Sequence, residues 1–272
     1  MDTMEAYGEF ARVYDIFQDN VDYDSWAGYL KDTLREYGIS DGLILELGCG
    51  TGTMTELLAA SGYDMIGVDN SEEMLAEAMQ KRETSGHDIL YLLQDMQEFE
   101  LYGTVRAVIS VCDSLNYLTE EQDLEHVFEL VNNYLDPGGL FIFDMNTIHK
   151  YRDVIGDRTI AEDREDGSFI WENSYDSENA LNVYELALFL PREDGLYEKC
   201  EEEHVQKAYS IEEVKVMIAK AGMELVAVYD AYTHTPGDEN CERLTFIARE
   251  HGKSAENDYH GNIPERARHT EE

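Results

Sequence analysis

The chain has 272 residues, 43% of them apolar, and sets 59 Asp and Glu against 20 Lys and Arg for a formal charge of −39. A surface that acidic repels phosphate backbones and the basic residues are scattered singly, so nucleic acid is set aside as a partner. No apolar run nears the ~20 residues of a membrane span, and Met1–Glu5 lacks the basic start of a signal peptide, so no membrane partner and a cytoplasmic location are expected.

The four cysteines, Cys49, Cys112, Cys200 and Cys241, form no C-x-x-C pair and have no histidines at ligand spacing. They read as reduced thiols, with no metal site expected.

Residues 5–37 read as two helices ahead of the first strand. Ala6, Phe10, Val13, Tyr14 and Phe17 repeat at helical spacing in one, and Trp26, Leu30, Leu34 and Tyr37 in the other. Asp19, Asn20 and Asp22 supply the break and the caps.

Leu43–Leu47 is then a buried strand carrying one acid, Glu46. Gly48-Cys49-Gly50-Thr51-Gly52 makes a tight turn into the helix-formers Met54–Ala60. Glycines suit a loop where a ligand approaches bare backbone. In the dinucleotide fingerprint G-x-G-x-x-G the third glycine falls one residue later than here. Glu46 would also add negative charge beside a pyrophosphate, so a ligand carrying positive charge fits better.

Tyr63–Asp69 is a second strand ending in an acid, 17 residues beyond Gly52. A carboxylate at that place accepts two hydrogen bonds from the hydroxyls of a ribose. Asn70-Ser71-Glu72-Glu73 then caps a helix. A third strand, Ile89–Leu93, leads into Asp95-Met96. A fourth, Ala107–Val111, runs into Cys112–Tyr117 at the carboxyl end of the sheet, where open α/β sheets bind ligands.

Thr119–Gln122 reads as a capping box for a helix, and Asp136–Gly139 as the turn before a fifth strand, Leu140–Phe143. Residues 151–207 break the rhythm. Alternation at Ser168–Tyr175, Leu181–Leu190 and Leu196–Gln206 predicts an antiparallel meander, strongly acidic and placed over the cleft as a lid. Ser210–Glu213 is a second capping box, whose helix ends at Gly222. Met223–Asp230 and Leu244–Arg249 close the domain as a hairpin, and residues 251–272 read as a disordered tail.

Glu46-Leu-Gly-Cys-Gly-Thr-Gly52 resembles the first motif of the class I S-adenosyl-L-methionine (SAM)-dependent methyltransferases, and Phe10–Phe17 resembles an N-terminal element of their small-molecule members. The resemblance runs over about residues 5–250. It implies an α/β, Rossmann-like fold with a seven-stranded, mostly parallel sheet and a reversed last strand. Residues 1–150 and 208–250 would form the SAM-binding domain, with 5–37 as a helical cap and 151–207 as an inserted β lid that takes the substrate. The glycine loop would wrap the amino-acid end of SAM, Asp69 would meet the ribose, Asp95 the adenine amino group and Met96 the ring. Tyr14 and the aromatic helix bearing Trp26 would close over it. The expected cofactor set is thus Tyr14, Trp26, Glu46, Gly48, Cys49, Gly50, Gly52, Asp69, Asn70, Asp95, Met96 and Cys112.

The expected reaction is in-line methyl transfer to an N or O nucleophile of a small molecule, most of the gain coming from positioning. Where the acceptor loses a proton, Tyr14 and His149 are candidate bases, with Tyr175 and His234 behind them. The acidic lid points to a cationic or amine-bearing acceptor. A SAM-binding sensor without catalysis and an NAD(P) oxidoreductase stand as the other readings, and the oligomeric state stays open, a dimer being one option.

Overall fold

A computed structural model describes residues 11, 14, 15, 18, 21–165, 167–192 and 194–253. The helical face expected of Ala6, Phe10, Val13 and Phe17 lies outside these residues, as does the tail from 254 onward. The first complete helix, α1 (Tyr23–Glu36), opens on Asp22, whose carboxylate accepts from the Ser25 N–H at 3.1 Å.

Alternation of strand and helix then builds β1 (Leu43–Leu47), α2 (Thr53–Ala60), β2 (Asp64–Asp69), α3 (Glu72–Ser85), β3 (Ile89–Leu93), β4 (Val105–Ser110), α4 (Glu121–Tyr134) and β5 (Leu135–Asn146). The neighbouring pairs β1–β2, β2–β3, β1–β4 and β4–β5 are all parallel. Strands covered on both faces read as continuous apolar runs, which is why β1 shows one polar residue in five. Its period of two sends Leu45 and Leu47 toward Val127 and Phe128 of α4, while Ile44 joins Leu30, Met54 and Leu75 from α1, α2 and α3. Glu46 therefore points into the α1–α3 side of the sheet, among the apolar side chains of that layer.

After β5 come β6 (Arg158–Arg164), β7 (Gly167–Asp176), β8 (Leu181–Pro191) and β9 (Tyr197–Lys207), then α5 (Ile211–Lys220), β10 (Met223–Asp230) and β11 (Arg243–Glu250). The main sheet has seven strands in the order β10-β11-β5-β4-β1-β2-β3, and β11 runs antiparallel to both its neighbours. The chain leaves β1 for β2 and β3 on one side, then returns to β4 on the other. That reversal opens a crevice at the carboxyl ends of β1 and β4, the usual ligand position in open α/β sheets.

Strands β6–β9 form a separate antiparallel sheet in sequential order. It has four strands where alternation predicts three. The extra one, β6, is an edge strand exposed along nearly its whole length, so it carries no apolar alternation to read. Asn116 Nδ2 donates to the Lys207 carbonyl at 2.7 Å and Tyr151 donates to Gln206 Oε1 at 2.8 Å, which tie this sheet to the main one.

Two further expectations change. The Thr119–Gln122 box does not form: α4 starts at Glu121, Glu120 is its cap, and no side chain bonds the free N–H groups. Buried Leu118, whose carbonyl accepts from Tyr209, sets where the chain enters the helix and leaves Thr119 one residue outside. Ser71 and Ser210 do cap α3 and α5, the latter with the reciprocal Glu213 bond. Strand β5 begins at Leu135, paired with Val105, then loops out residues 136–139 opposite Arg106 before Leu140 pairs with Ala107. Beyond β11 the chain stays attached as far as Lys253, whose ammonium reaches the carbonyls of Asn133 (3.1 Å) and Leu135 (2.6 Å) at the end of α4. A cation there suits the negative end of the helix. Among the described residues no helix is long and apolar enough to cross a membrane.

Candidate active site

The loop after β1 is folded by its own backbone. The N–H groups of Gly48 and Cys49 both donate to the Val68 carbonyl, at 2.8 and 3.0 Å, which turns the chain sharply off the strand end. Gly48, Gly50 and Gly52 have φ of 69°, 52° and 74°, a region that side chains with a Cβ avoid. The three differ in what surrounds them. A Cβ on Gly52 would sit 2.9 Å from Ala78 Cβ and collide with the Tyr91 hydroxyl, so this glycine lets α2 and α3 approach β3. A Cβ on Gly50 would meet nothing within 4 Å, so its open side faces the cavity.

That cavity encloses about 530 Å³. Glu46, Gly48, Cys49, Gly50 and Thr51 line it from β1 and the loop, and Asp69, Asn70 and Ser71 from the end of β2. Asp95, Met96 and Gln97 follow β3, and Val111, Cys112, Ser114 and Tyr117 follow β4, with Tyr14 and Tyr23 closing it from the N-terminal side. Asp69 bridges two elements: its carboxylate accepts from the Gly50 N–H at 2.7 Å and the Ser71 N–H at 2.9 Å.

Glu46 is 1% exposed and takes one hydrogen bond, from the Thr55 hydroxyl. Burial pushes its carboxyl up to about 8, with the Thr55 bond pulling the other way and Asp69 adding to the rise. Among the described residues no cation pairs with this buried acid, and its place on the cavity wall is complementary to a ligand ammonium group, which would restore its charge.

The opposite wall is a strained turn. Cys112 and Asp113 are consecutive non-glycine residues with φ of 58° and 53°. Their N–H groups point together at the buried Asp144 carboxylate, at 3.1 and 2.7 Å. Arg243 completes the arrangement, reaching Asp144 at 2.9 Å and Asp113 at 2.5 Å, and the Tyr232 hydroxyl donates to Asp144 as well. A cost of order 1–3 kcal/mol per strained residue is held in place by these charge-assisted bonds. Burial, and Asp144 after it, raises the Cys112 thiol, and burial followed by Asp69 raises that of Cys49. Both shifts favour the protonated thiol.

A smaller pocket of about 60 Å³ adjoins the cavity and shares Tyr14, Cys112 and Tyr117 with it. Trp26, Asp113, Tyr184 and Arg243 are its further walls, Tyr184 coming from β8. Asp15 accepts from Thr51 at 2.7 Å and pairs with Lys81 at 2.6 Å, linking it to the glycine loop and to α3.

Ten of the twelve expected cofactor residues line the larger cavity. Trp26 and Gly52 are the exceptions. Trp26 lines only the smaller pocket, because its ring is stacked on Tyr232 at 3.7 Å with the Arg243 guanidinium 5.6 Å away. Gly52 serves helix packing. Among the expected bases, Tyr14 reaches both pockets, but burial raises its phenol far above the ordinary value and keeps it protonated. His149 lines neither pocket and pairs with Asp153 at 3.0 Å. Tyr175 lies on β7 outside both, and His234 packs against Tyr29 and Tyr229.

Acids of the inserted sheet divide by face. Glu172, Glu185 and Glu203 stand directly opposite one another across three strands, all exposed on the face away from Tyr184. The inward carboxylate of β9, Glu202, is bonded to His204. Arg243, Asp144, Tyr232, Tyr184 and His204 were not singled out from the sequence. The one legible signal was the alternation Glu202-x-His204-x-Gln206, a strand that turns polar side chains inward.

A family model described as a methyltransferase domain matches residues 44–139. A Bacillus subtilis protein, YqeM, whose name assigns it as a methyltransferase, is 36% identical over 244 residues, covering 89% of this chain and 96% of its own. The crystal structure of a SAM-dependent methyltransferase from Clostridium acetobutylicum superposes with a TM-score of 0.82 at 29% identity, covering 91% of this chain and all of that one. A Streptomyces venezuelae enzyme named as a dTDP-3-amino-3,4,6-trideoxy-alpha-D-glucopyranose N,N-dimethyltransferase is 29% identical over 50% of this chain and 56% of its own.

Proposed function

The chain belongs to the SAM-dependent methyltransferases, and we propose that it methylates an N or O nucleophile of a small molecule held beneath the β6–β9 sheet. The observation that carries this is the pair of joined pockets: the larger is built by the glycine loop and the ends of β2 and β3, the smaller is walled by a residue of the inserted sheet.

In this reading Glu46 takes the ammonium group of the cofactor and the backbone of the Gly48–Gly50 turn, open at Gly50, takes its amino-acid end. Asp69, oriented by two N–H donors, receives the ribose hydroxyls through its remaining lone pairs. Asp95 and Met96 flank the adenine, and Asn70 and Cys112 border the same space. When bound, SAM supplies a methyl group already activated on a sulfonium. The protein then has to hold an acceptor in line, exclude water and receive a proton. Tyr14 and Tyr184 provide hydroxyls that orient the acceptor, and Tyr14 packs on Leu186 and Leu188 of the lid. Residues 151–207 act as the substrate lid over a SAM-binding domain formed by the rest. The Streptomyces relative, named for an amino-sugar substrate, supports an amine-bearing small molecule as the acceptor class.

Calorimetry with S-adenosyl-L-homocysteine and with NADH tests the cofactor, binding of the first alone being expected. Incubation with methyl-deuterated SAM and a bacterial metabolite extract tests turnover by mass spectrometry. A labelled small molecule is expected; label found in nucleic acid instead would sink the proposal.

A further inference from the structure

A buried polar chain runs from the junction of the two pockets into the inserted sheet. Tyr117, which lines both pockets, has its hydroxyl 2.9 Å from that of Tyr184 and 3.0 Å from His204 Nδ1. His204 Nε2 lies 3.1 Å from Glu202 Oε2. His204 is 1% exposed and Glu202 4%. An ionised carboxylate only accepts, so Nε2 carries the imidazole proton and Nδ1 is an acceptor for the Tyr117 hydroxyl. Tyr184, stacked on His204 at 4.7 Å, donates to Tyr117 in turn.

Placing a histidine and a glutamate inside a sheet costs several kcal/mol unless they are paired, and apolar residues would support the fold as well. The order carboxylate, imidazole, hydroxyl, pocket is that of a base oriented by a third group.

We propose that Tyr117, His204 and Glu202 form a proton relay for methyl transfer, so that the acceptor is an amine or hydroxyl whose N–H or O–H proton is lost. This rests on the function proposed above. The acceptor lone pair forms the bond to the methyl carbon, and the electron pair of the broken carbon–sulfur bond stays on sulfur. The acceptor proton passes to the Tyr117 oxygen while Tyr117 gives its own to His204 Nδ1. The resulting imidazolium is held by Glu202. Tyr117 is the catalytic residue, and His204 and Glu202 are positioning residues. Among the described residues, the charged and titratable groups around this chain include Glu202 on β9, Tyr184 on β8, Tyr117 after β4, Tyr14 and Tyr151 beside Tyr184, and Asp113 with Arg243 at the pocket wall.

The test uses the full chain in two arms. In the first, label transfer from deuterated SAM into the metabolite extract is followed from pH 6 to 9. His204→Gln and Tyr117→Phe are expected to lower the rate about 100-fold and Glu202→Gln about 10-fold, with the KM for SAM within about twofold of wild type. The shape of the pH–rate profile is expected to differ between His204→Gln and wild type. An unchanged rate or an unchanged pH profile in that variant overturns the relay.

The second arm reads the imidazoles by ¹⁵N NMR with S-adenosyl-L-homocysteine bound. His204 is expected as the neutral Nε2–H tautomer, and Tyr117→Phe is expected to shift its Nδ1 resonance. An Nδ1–H tautomer, or an Nδ1 resonance indifferent to Tyr117→Phe, overturns the relay. If wild type labels nothing, the fault lies in the proposed function, and the NMR arm alone decides the relay.

Discussion

Single residues at this site do work that type alone does not reveal. Glu46 shows it through pH. Burial raises its carboxyl from about 4.5 to about 8, so the folded chain prefers the neutral acid. Such a group costs nothing below the unfolded value, costs progressively more as pH rises from about 4.5 to 8, and costs a constant amount above. Glu46→Gln is therefore expected to match wild type in urea unfolding at pH 5 and to exceed it by roughly 1–3 kcal/mol at pH 9. The same variant should bind S-adenosyl-L-homocysteine at least ~10-fold more weakly, because the ammonium loses its counter-charge. Equal stability of the two proteins at pH 9 would refute the argument. The glycines separate in a similar way. Gly52→Ala meets Ala78 and Tyr91 as well as an unfavourable φ, and is expected to cost roughly 2–4 kcal/mol. Gly50→Ala has open space around it and should cost only about 1–2 kcal/mol in stability, its main effect being on ligand affinity. Thermal unfolding and calorimetry on the pair distinguish a packing glycine from a ligand glycine.

At the scale of elements, the inserted sheet is divided by its period of two. Trp171, Asn173, Tyr184, Glu202 and His204 share the inward face, while Glu172, Glu185 and Glu203 share the outward one. Composition saw an acidic lid; register turns Glu172, Glu185 and Glu203 to solvent and Glu202 inward. Like charges directly opposite one another on adjacent strands are destabilising by up to about 1 kcal/mol per pair. Glu185→Lys replaces two such repulsions with two attractions. It is expected to raise the unfolding free energy by roughly 0.5–2 kcal/mol at low salt while leaving label transfer unchanged. A fall in acceptor affinity would instead restore a role for the outer acids in recruiting a cation. The helix caps carry a related lesson. Thr119 and Ser210 open similar sequence patterns, yet only Ser210 caps, because the buried Leu118 fixes a helix start that no local pattern encodes.

For the whole molecule, the parts legible in sequence are those with a short-range cause. The seven-stranded order follows from buried strands alternating with amphipathic helices, and the cavity from glycines and acids at strand ends. The Asp144–Arg243 cluster, the stack of Trp26 on Tyr232 and the Tyr117–His204 contact join residues up to 206 positions apart, as Trp26 and Tyr232 are, and no local period announces them. Net charge is the global property that sequence states outright. At −39 the folded chain is under self-repulsion, and its surface ion pairs, such as Arg192–Asp194 and Lys215–Glu212, are exposed and individually weak. Salt screens both, but the repulsions far outnumber the pairs. Raising NaCl from about 10 mM to 0.5 M shortens the screening length from ~30 Å to a few Å. The thermal midpoint is expected to rise, at roughly 2–4 °C per kcal/mol of relieved repulsion for a domain of this size. Sodium sulfate at matched ionic strength should add a further increment through stronger apolar burial. A midpoint that falls with NaCl would mean that the surface pairs outweigh the net charge, and that the acidic excess is spread more evenly among its few cations than its sum implies.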